Sequence, residues 1–261
     1  MYPQRIVCLA AEIPEILYRL GALDRVVGIS AYTTRPAEAL LLPKVSGFKH
    51  GSTKRILKDQ PDIAILTSGV QKELAAELSK QGVTTVHFNP HRLEDMFHTI
   101  QLIGNLIGKS DEALAYVAEL RQEVDEVRQS AAELPFRPRV YFEEWMDPII
   151  VGTAWVSDLI EIAGGIDVFR EKSLEGRHAS ERVVEADEIV TASPDIVFAS
   201  WCGKPFISEN FLTRPGYSEI PAVKHEIVFE LDSEILQCGP MLLDSLKNIH
   251  GIIRTFVRST F

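Results

Sequence analysis

The stretch from Ser110 to Leu134, SDEALAYVAELRQEVDEVRQSAAEL, is the longest uninterrupted helical pattern in the chain. It contains neither Gly nor Pro, whereas Pro135 and Pro138 follow it and end the pattern. Ser110 is a favourable N-cap, and the acids that follow it suit the positive end of the helix dipole. We therefore predict a long helix over Ser110–Leu134. Its predicted apolar face consists of Leu114, Val117, Leu120, Val124 and Val127.

Short apolar runs alternate with helical patterns on the amino-terminal side of this helix. Runs rich in β-branched residues predict buried strands, and the patterns between them have helical periodicity. Such alternation is typical of parallel strands connected by helices. The predicted strands are Arg5–Ala10, Arg25–Ser30, Ile63–Leu66 and Val83–Phe88, and the predicted helices include Glu12–Leu20 and Leu93–Ile107.

The same pattern restarts after the long helix. The strand predicted at Arg139–Phe142 parallels the one at Arg5, and Pro194-Asp195 precedes a strand as Pro61-Asp62 does. The two pairs of landmarks are separated by nearly equal lengths of chain. We therefore predict an α/β protein with two Rossmann-like lobes that have parallel sheets and are joined by a single long backbone helix. The predicted domains are residues 1–109, the connecting helix 110–134 and residues 135–261.

Composition limits the function and the compartment. The chain has 261 residues and a formal net charge of -10, which argues against a nucleic-acid partner. No apolar run approaches the roughly 20 residues of a membrane span. The three cysteines lack CxxC spacing, and they are expected to be thiols, with a Cys202–Cys238 pair as the alternative. The first residues show no signal-peptide pattern, so we expect either a cytoplasmic chain or one from which a targeting segment was removed.

Ligands of open α/β sheets bind beyond the carboxyl ends of the strands, and two facing lobes would line a cleft there. In the first lobe this rule selects Glu12, which lies just beyond the first predicted strand, and the two loops 32–35 and 48–51. In the second lobe it selects acids and tryptophans, whose flat apolar faces suit a bulky or planar ligand. The alternative is that these loops pack against their own lobe. The candidate ligand-binding residues are Glu12, Tyr32, Arg35, Phe48, His50, Glu144, Trp145, Trp155 and Trp201.

Glu143 and Glu144 are adjacent, so strand alternation turns them to opposite sides and we expect at most one to face a ligand. The sequence contains no GxSxG, P-loop, GxGxxG or HExxH motif, and the spacing of its histidines suggests no metal site. We therefore expect no catalytic residues, no resident metal and a binding protein rather than an enzyme.

Segments in both halves of the chain carry a resemblance to a known family. RIVCLAAEIPEILYRLGALDRVVGIS and KRILKDQPDIAIL resemble the first lobe of the helical-backbone class III periplasmic binding proteins, which serve ABC importers of vitamin B12, haem and ferric siderophores. The second half looks most like the cobalamin-binding branch, through the segments EEWMDPIIVGTAWVSDLIEIAGG, SPDIVFASWCGKPF and IPAVKHEIVFELDSEILQCGPMLLDSL. The resemblance implies a monomer with a periplasmic or extracytoplasmic location, no covalent cofactor and a ligand bound between the lobes.

The resemblance also implies roles for individual residues. Aromatic residues of the B12 binders contact the corrin, and Phe48 matches one such position, whereas Arg35 stands where these proteins often have tyrosine. In proteins of this class, an acidic residue on each lobe docks onto the ABC permease. Asp187 matches this position on the second lobe, but Lys54 stands at the matching position of the first and has the opposite charge.

Three functions remain open from the sequence. The first is a substrate-binding protein that captures a cobalamin-like corrinoid for an ABC importer. The second keeps the fold but binds haem or a ferric siderophore, with His50, Tyr32 or Met146 as possible axial donors to haem. The third is a cytoplasmic protein of chelatase-like architecture that handles a metal or tetrapyrrole.

Overall fold

The computed structural model describes residues 2–47 and 50–260. The chain forms two compact units. Unit 1 contains Met1–Pro90 and Glu94–Leu120, and unit 2 contains His91–Leu93 and Arg121–Phe261. In the described part of the chain, no helix is long and apolar enough to cross a membrane.

Unit 1 is built on a five-stranded parallel sheet with the order β3-β2-β1-β4-β5. The central strands are short and buried, because helices cover a parallel sheet on both faces. Its strands are β1 (Ile6–Cys8), β2 (Val26–Ser30), β3 (Lys44–Ser46), β4 (Ile63–Thr67) and β5 (Thr84–Phe88). Its helices are α1 (Ile13–Arg19), α2 (Thr53–Lys58), α3 (Lys72–Lys80), α4 (Leu93–Ile107) and the first part of α5 (Ser110–Ala132).

Unit 2 has a second five-stranded sheet with one antiparallel strand. The order is β10-β9-β6-β7, β8 pairs with β6, and β7 runs antiparallel to β6. Its strands are β6 (Arg139–Met146), β7 (Ile149–Val151), β8 (Ile166–Asp167), β9 (Ile196–Ala199) and β10 (Val228–Glu230). Its helices are α6 (Ala154–Ile162), α7 (Arg170–Glu175), α8 (Ala186–Ala192), α9 (Ser208–Leu212), α10 (Pro221–Lys224) and α11 (Leu242–Ser259).

The long helix α5 is confirmed, with three corrections. Leu114 was predicted on the apolar face, but it is 56% exposed, whereas Ala113 and Tyr116 are buried. The buried positions thus advance in steps of three and four from Ala113 through Val117 and Leu120. Ser110 was predicted as the N-cap but lies in the first turn of the helix, because the carbonyl of Lys109 already accepts a hydrogen bond from the N–H of Ala113. The helix also ends at Ala132, two residues before the predicted Leu134. The boundary between unit 1 and unit 2 falls after Leu120, so α5 contributes residues to both units.

The strand predicted to end at Phe142 is longer than expected. β6 continues to Met146 and forms a hairpin with β7 through Asp147 and Pro148. Glu143 and Glu144 therefore lie within the strand and not in a loop. Charged residues can extend a strand when buried partners neutralise them, and both glutamates have such partners.

Candidate functional site

Glu12 follows β1 at the carboxyl edge of the first sheet, but its side chain is buried. Only 4% of the residue is exposed. Burial raises the pKa of Glu12 to about 7, and hydrogen bonds from its own backbone and from Thr67 partly oppose this effect. Glu12 is thus placed in the interior of unit 1, and its contact with a ligand stays a prediction.

Other candidates of unit 1 lie at the surface. Tyr32 is 46% exposed just beyond β2, and His50 is exposed before α2. Arg35 is occupied by an ion pair, since its Nε lies 3.3 Å from Oε2 of Glu15. Phe48 lies outside the described residues. Among the described candidates of this unit, Tyr32 and His50 are thus exposed, and their contact with a ligand stays a prediction.

Gln71 was not predicted, yet it organises this edge of unit 1. Its Nε2 donates to the carbonyl of Leu9 at 2.9 Å, and its Oε1 accepts from the N–H of Thr67 at 3.0 Å. The buried amide therefore ties the ends of β1 and β4 together. Ser68 beside it has a φ of 55°, an uncommon value for a residue other than glycine. A lone Gln at the start of a helix gave no signal in the sequence, because its partners are distant in the chain.

Glu143 is fully buried in unit 2 and organises a polar network. Its carboxylate accepts hydrogen bonds from Tyr141 Oη and Trp201 Nε1, both at 3.0 Å. Arg214 donates to both oxygens, at 2.6 and 2.9 Å. Burial together with the nearby charge and hydrogen bond of Glu143 raises the pKa of Tyr141 well above its usual range. Burial alone would lower the pKa of Arg214, but the hydrogen bond and charge of Glu143 outweigh it and raise that pKa.

Glu144 points to the other side of β6, as strand alternation predicted, and it is also paired. Arg182 donates to its Oε2 at 2.6 Å and to its Oε1 at 3.2 Å. Arg182 itself is buried, and it also donates to the carbonyl of Val151. Both glutamate carboxylates are thus paired with an arginine of unit 2, and ligand contact by Glu144 stays a prediction.

The three tryptophans differ in their surroundings. Trp201 is only 2% exposed, donates to Glu143 and meets the ring of Phe206 edge-on at 5.0 Å. Trp201 therefore packs within unit 2, and its contact with a ligand stays a prediction. Trp155 is half-buried and donates from Nε1 to the carbonyl of Ile235 at 2.9 Å.

Trp145 is the tryptophan best placed to receive a ligand. It is half-exposed at the end of β6, where its Nε1 donates to the carbonyl of Asp147 at 2.9 Å. The ammonium of Lys204 lies 5.0 Å from the centre of its ring, within cation–π distance. The ammonium of the flexible Lys204 side chain therefore lies over the flat face of Trp145.

A cavity of about 570 Å³ opens beside Trp201 in unit 2. It lies beyond the carboxyl ends of β9 and β10, which is the position that the strand rule predicts. Trp201 and Leu231 are the large apolar residues of its lining. The charged and hydroxyl side chains of the lining are Lys204, Glu230, Asp232, Ser200 and Ser233.

The proposed docking residues and the cysteines complete the sequence predictions. Asp187 is exposed in the first turn of α8, and Lys54 is exposed in the first turn of α2. Cys202 and Cys238 form no disulfide, so the alternative of a bond between them is wrong in this structure. Over the described ranges, no group of three or more His, Cys, Asp or Glu side chains is placed to hold a metal ion.

Comparison with known proteins identifies the family. The model of the family described as "Periplasmic binding protein" matches residues 6–235, which is most of the chain. The chain belongs to the periplasmic binding protein family. This periplasmic binding protein is 24% identical over 252 residues to the vitamin B12-binding protein of Vibrio cholerae, and the match covers 94% of this chain and 87% of that protein. It is 25% identical to the substrate-binding lipoprotein YvrC of Bacillus subtilis, over 95% of this chain and 79% of that one.

Solved structures share its fold. The periplasmic haem-binding protein RhuT of Roseiflexus superposes with a TM-score of 0.83 at 22% identity and covers 97% of this chain, which spans 99% of RhuT. The vitamin B12-binding protein BtuF of Vibrio cholerae gives 0.79, also at 22% identity, over 97% of this chain and 98% of BtuF. These likenesses establish the two-lobed α/β architecture with a long connecting helix, as the sequence predicted.

Proposed function

We propose that this periplasmic binding protein captures a corrinoid of the cobalamin type and delivers it to an ABC importer. The observation that carries the proposal is the half-exposed Trp145, whose ring lies against Lys204, a residue that lines the cavity at the carboxyl ends of β9 and β10. The match to vitamin B12-binding relatives along nearly the whole chain supports the corrinoid as ligand. The protein performs no covalent chemistry in this proposal.

Binding would come mainly from the burial of ring faces. Trp145 offers a flat, half-exposed apolar surface in unit 2. At about 25 cal/mol per Å², a few hundred Å² of buried ring contributes roughly 5–8 kcal/mol before the costs of association. Micromolar binding corresponds to about 8 kcal/mol after those costs, so hydrogen bonds to the peripheral amides and further buried area would supply the remainder.

Titration with cyanocobalamin, followed by tryptophan fluorescence and calorimetry, tests this proposal. We expect Trp145→Leu to weaken binding about fivefold, since stacking on an aromatic ring typically contributes ~1 kcal/mol beyond its buried area. Tyr18→Leu is the control, because Tyr18 is another exposed aromatic residue but lies in unit 1, near the C-terminal end of α1. Equal affinities of the wild type and Trp145→Leu would contradict the assignment of Trp145.

Haem or a ferric chelate is the second candidate ligand, because Tyr32 and His50 are exposed potential iron donors in unit 1. Hemin binding would produce a Soret shift. Its loss in Tyr32→Phe or His50→Ala, but not in His225→Ala, would favour this alternative. His225 is an exposed histidine of unit 2 and serves as the matched control.

Transfer to the permease would use the exposed carboxylate of Asp187. We expect Asp187→Lys to leave cyanocobalamin affinity unchanged but to reduce stimulation of ATP hydrolysis by a B12-type permease in proteoliposomes. Lys54 has the opposite charge at the matching position of unit 1, so Lys54→Glu should increase that stimulation. Unchanged stimulation in both variants would exclude these two positions from docking.

A further inference from the structure

The cavity beside Trp201 has a distinctive arrangement of charges. Its floor is apolar, since Trp201 and Leu231 are buried. Its exposed charged residues are one lysine, Lys204, and two acids, Glu230 and Asp232. The lining therefore combines one cationic donor with two anionic acceptors, and its formal charge is negative.

The two carboxylates are held in place by the backbone. Glu230 Oε1 accepts from the N–H of Phe206 at 2.8 Å, and Asp232 Oδ1 accepts from the N–H of Glu234 at 2.9 Å. Each bond uses one of the roughly four lone-pair positions of a carboxylate, so both groups can still accept hydrogen bonds from a ligand. The backbone bonds restrict where those acceptors point.

Lys204 supplies the complementary donor. Among the residues that the structure describes, no carboxylate lies within ion-pair distance of its ammonium, which rests over the ring of Trp145. It follows Gly203, whose φ of 73° is the left-handed conformation that glycine adopts without strain. The lysine therefore stands at a tight turn on the rim, where its ammonium can donate to a carbonyl of the ligand.

We infer that this cavity selects carboxamide substituents of the ligand over carboxylates. A carboxamide has an N–H₂ that donates to Glu230 or Asp232 and a C=O that accepts from Lys204. A carboxylate of the same shape has no donor for the two acids and is repelled by their charge. The inference rests on the proposed function and deepens it, because it favours the amide-bearing edge of a corrinoid over the propionates of haem.

Cyanocobalamin and its monocarboxylic acids, in which one peripheral propionamide is hydrolysed to propionate, test this inference because they match in size. Calorimetry at pH 7.5 should show that the wild type binds at least one of the acids about tenfold more weakly than cyanocobalamin. In the double variant Glu230→Gln/Asp232→Asn, this ratio should fall to about twofold or less. The amides of the variant can still accept the bonds from Phe206 and Glu234, so the loops should be retained.

The control is the double variant Glu171→Gln/Glu175→Gln, which changes the net charge of unit 2 by the same amount at exposed positions of α7. It should keep the wild-type ratio. If the wild type binds cyanocobalamin and all the acids equally, the inference is overturned while the proposed function stands. If the ratio persists in Glu230→Gln/Asp232→Asn, the two acids are not its cause. If cyanocobalamin does not bind at all, the proposed function fails, and the inference with it.

Discussion

Replacement of Glu143 by leucine should destabilise unit 2 strongly. The carboxylate accepts one bond each from Tyr141 and Trp201 and two from Arg214, and no part of Glu143 is exposed. In Glu143→Leu the guanidinium loses its counter-ion, and two buried donors lose their acceptor.

The expected magnitude follows from these contacts. Breaking a buried ion pair by removing one partner costs about 3–5 kcal/mol, and a stranded neutral donor costs about 1–3 kcal/mol. These losses overlap, because the groups share one site and can relax together. Arg214 also retains 14% exposure of its side chain, which lets water reach it. We therefore expect Glu143→Leu to lower the free energy of unfolding by about 4 kcal/mol.

Urea unfolding, followed by far-UV circular dichroism and tryptophan fluorescence, measures this loss. The double variant Glu143→Leu/Arg214→Met removes the stranded charge and should recover about 2 kcal/mol. Glu175→Gln, an exposed acid of the same unit, should stay within about 0.5 kcal/mol of the wild type. A loss below about 1 kcal/mol in Glu143→Leu, or no recovery in the double variant, would refute the reasoning.

Three further predictions concern other sites. The pKa of Glu12 is about 7 in the folded protein, above its usual value of 4.5, so the wild type loses stability as the pH rises from 4.5 to 7. Glu12→Gln should therefore gain ~2 kcal/mol of unfolding free energy relative to the wild type between pH 5 and pH 8 in urea titrations, and a pH-independent difference would contradict this. Asp158 accepts hydrogen bonds from Arg92 at 2.7 and 2.8 Å and from the N–H of Leu93 at 3.2 Å. Asp158→Asn should therefore lower the unfolding free energy by about 2–3 kcal/mol and speed hydrogen exchange at the Leu93 amide, and unchanged exchange there would count against the contact. Trp145→Leu should weaken cyanocobalamin binding but change the unfolding free energy by less than about 1 kcal/mol, since the ring is half-exposed. A larger loss of stability would assign Trp145 to the core.

The regular parts of the fold were accessible from sequence because their causes are local. α4 has the predicted bounds, Leu93–Ile107, and α5 starts at the predicted Ser110. Their periodicity, and for α5 the closing prolines, all lie within the segments themselves. Leu114 was misassigned because a single heptad-like face was assumed, whereas Ala113 and Tyr116 pack inward in its place.

The polar interior of unit 2 could not be predicted, since its partners are far apart in the chain. Glu143 meets Arg214 across 71 positions, and Glu144 meets Arg182 across 38. Adjacent acids after an apolar run therefore suggested a strand end, although both are neutralised inside a longer strand. The burial of Trp201 could not be predicted for the same reason, because nothing local to it reveals the bond to Glu143.

The central claim, that the protein binds a corrinoid, is tested most directly by gel filtration after incubation with cyanocobalamin, with the visible spectrum of the protein peak recorded. Hemin is run in parallel. Our account predicts a coloured peak that contains one cyanocobalamin per chain, with a dissociation constant in the micromolar range or below. A colourless protein peak at saturating cyanocobalamin would contradict it, and a Soret band with hemin alone would favour a haem-binding protein.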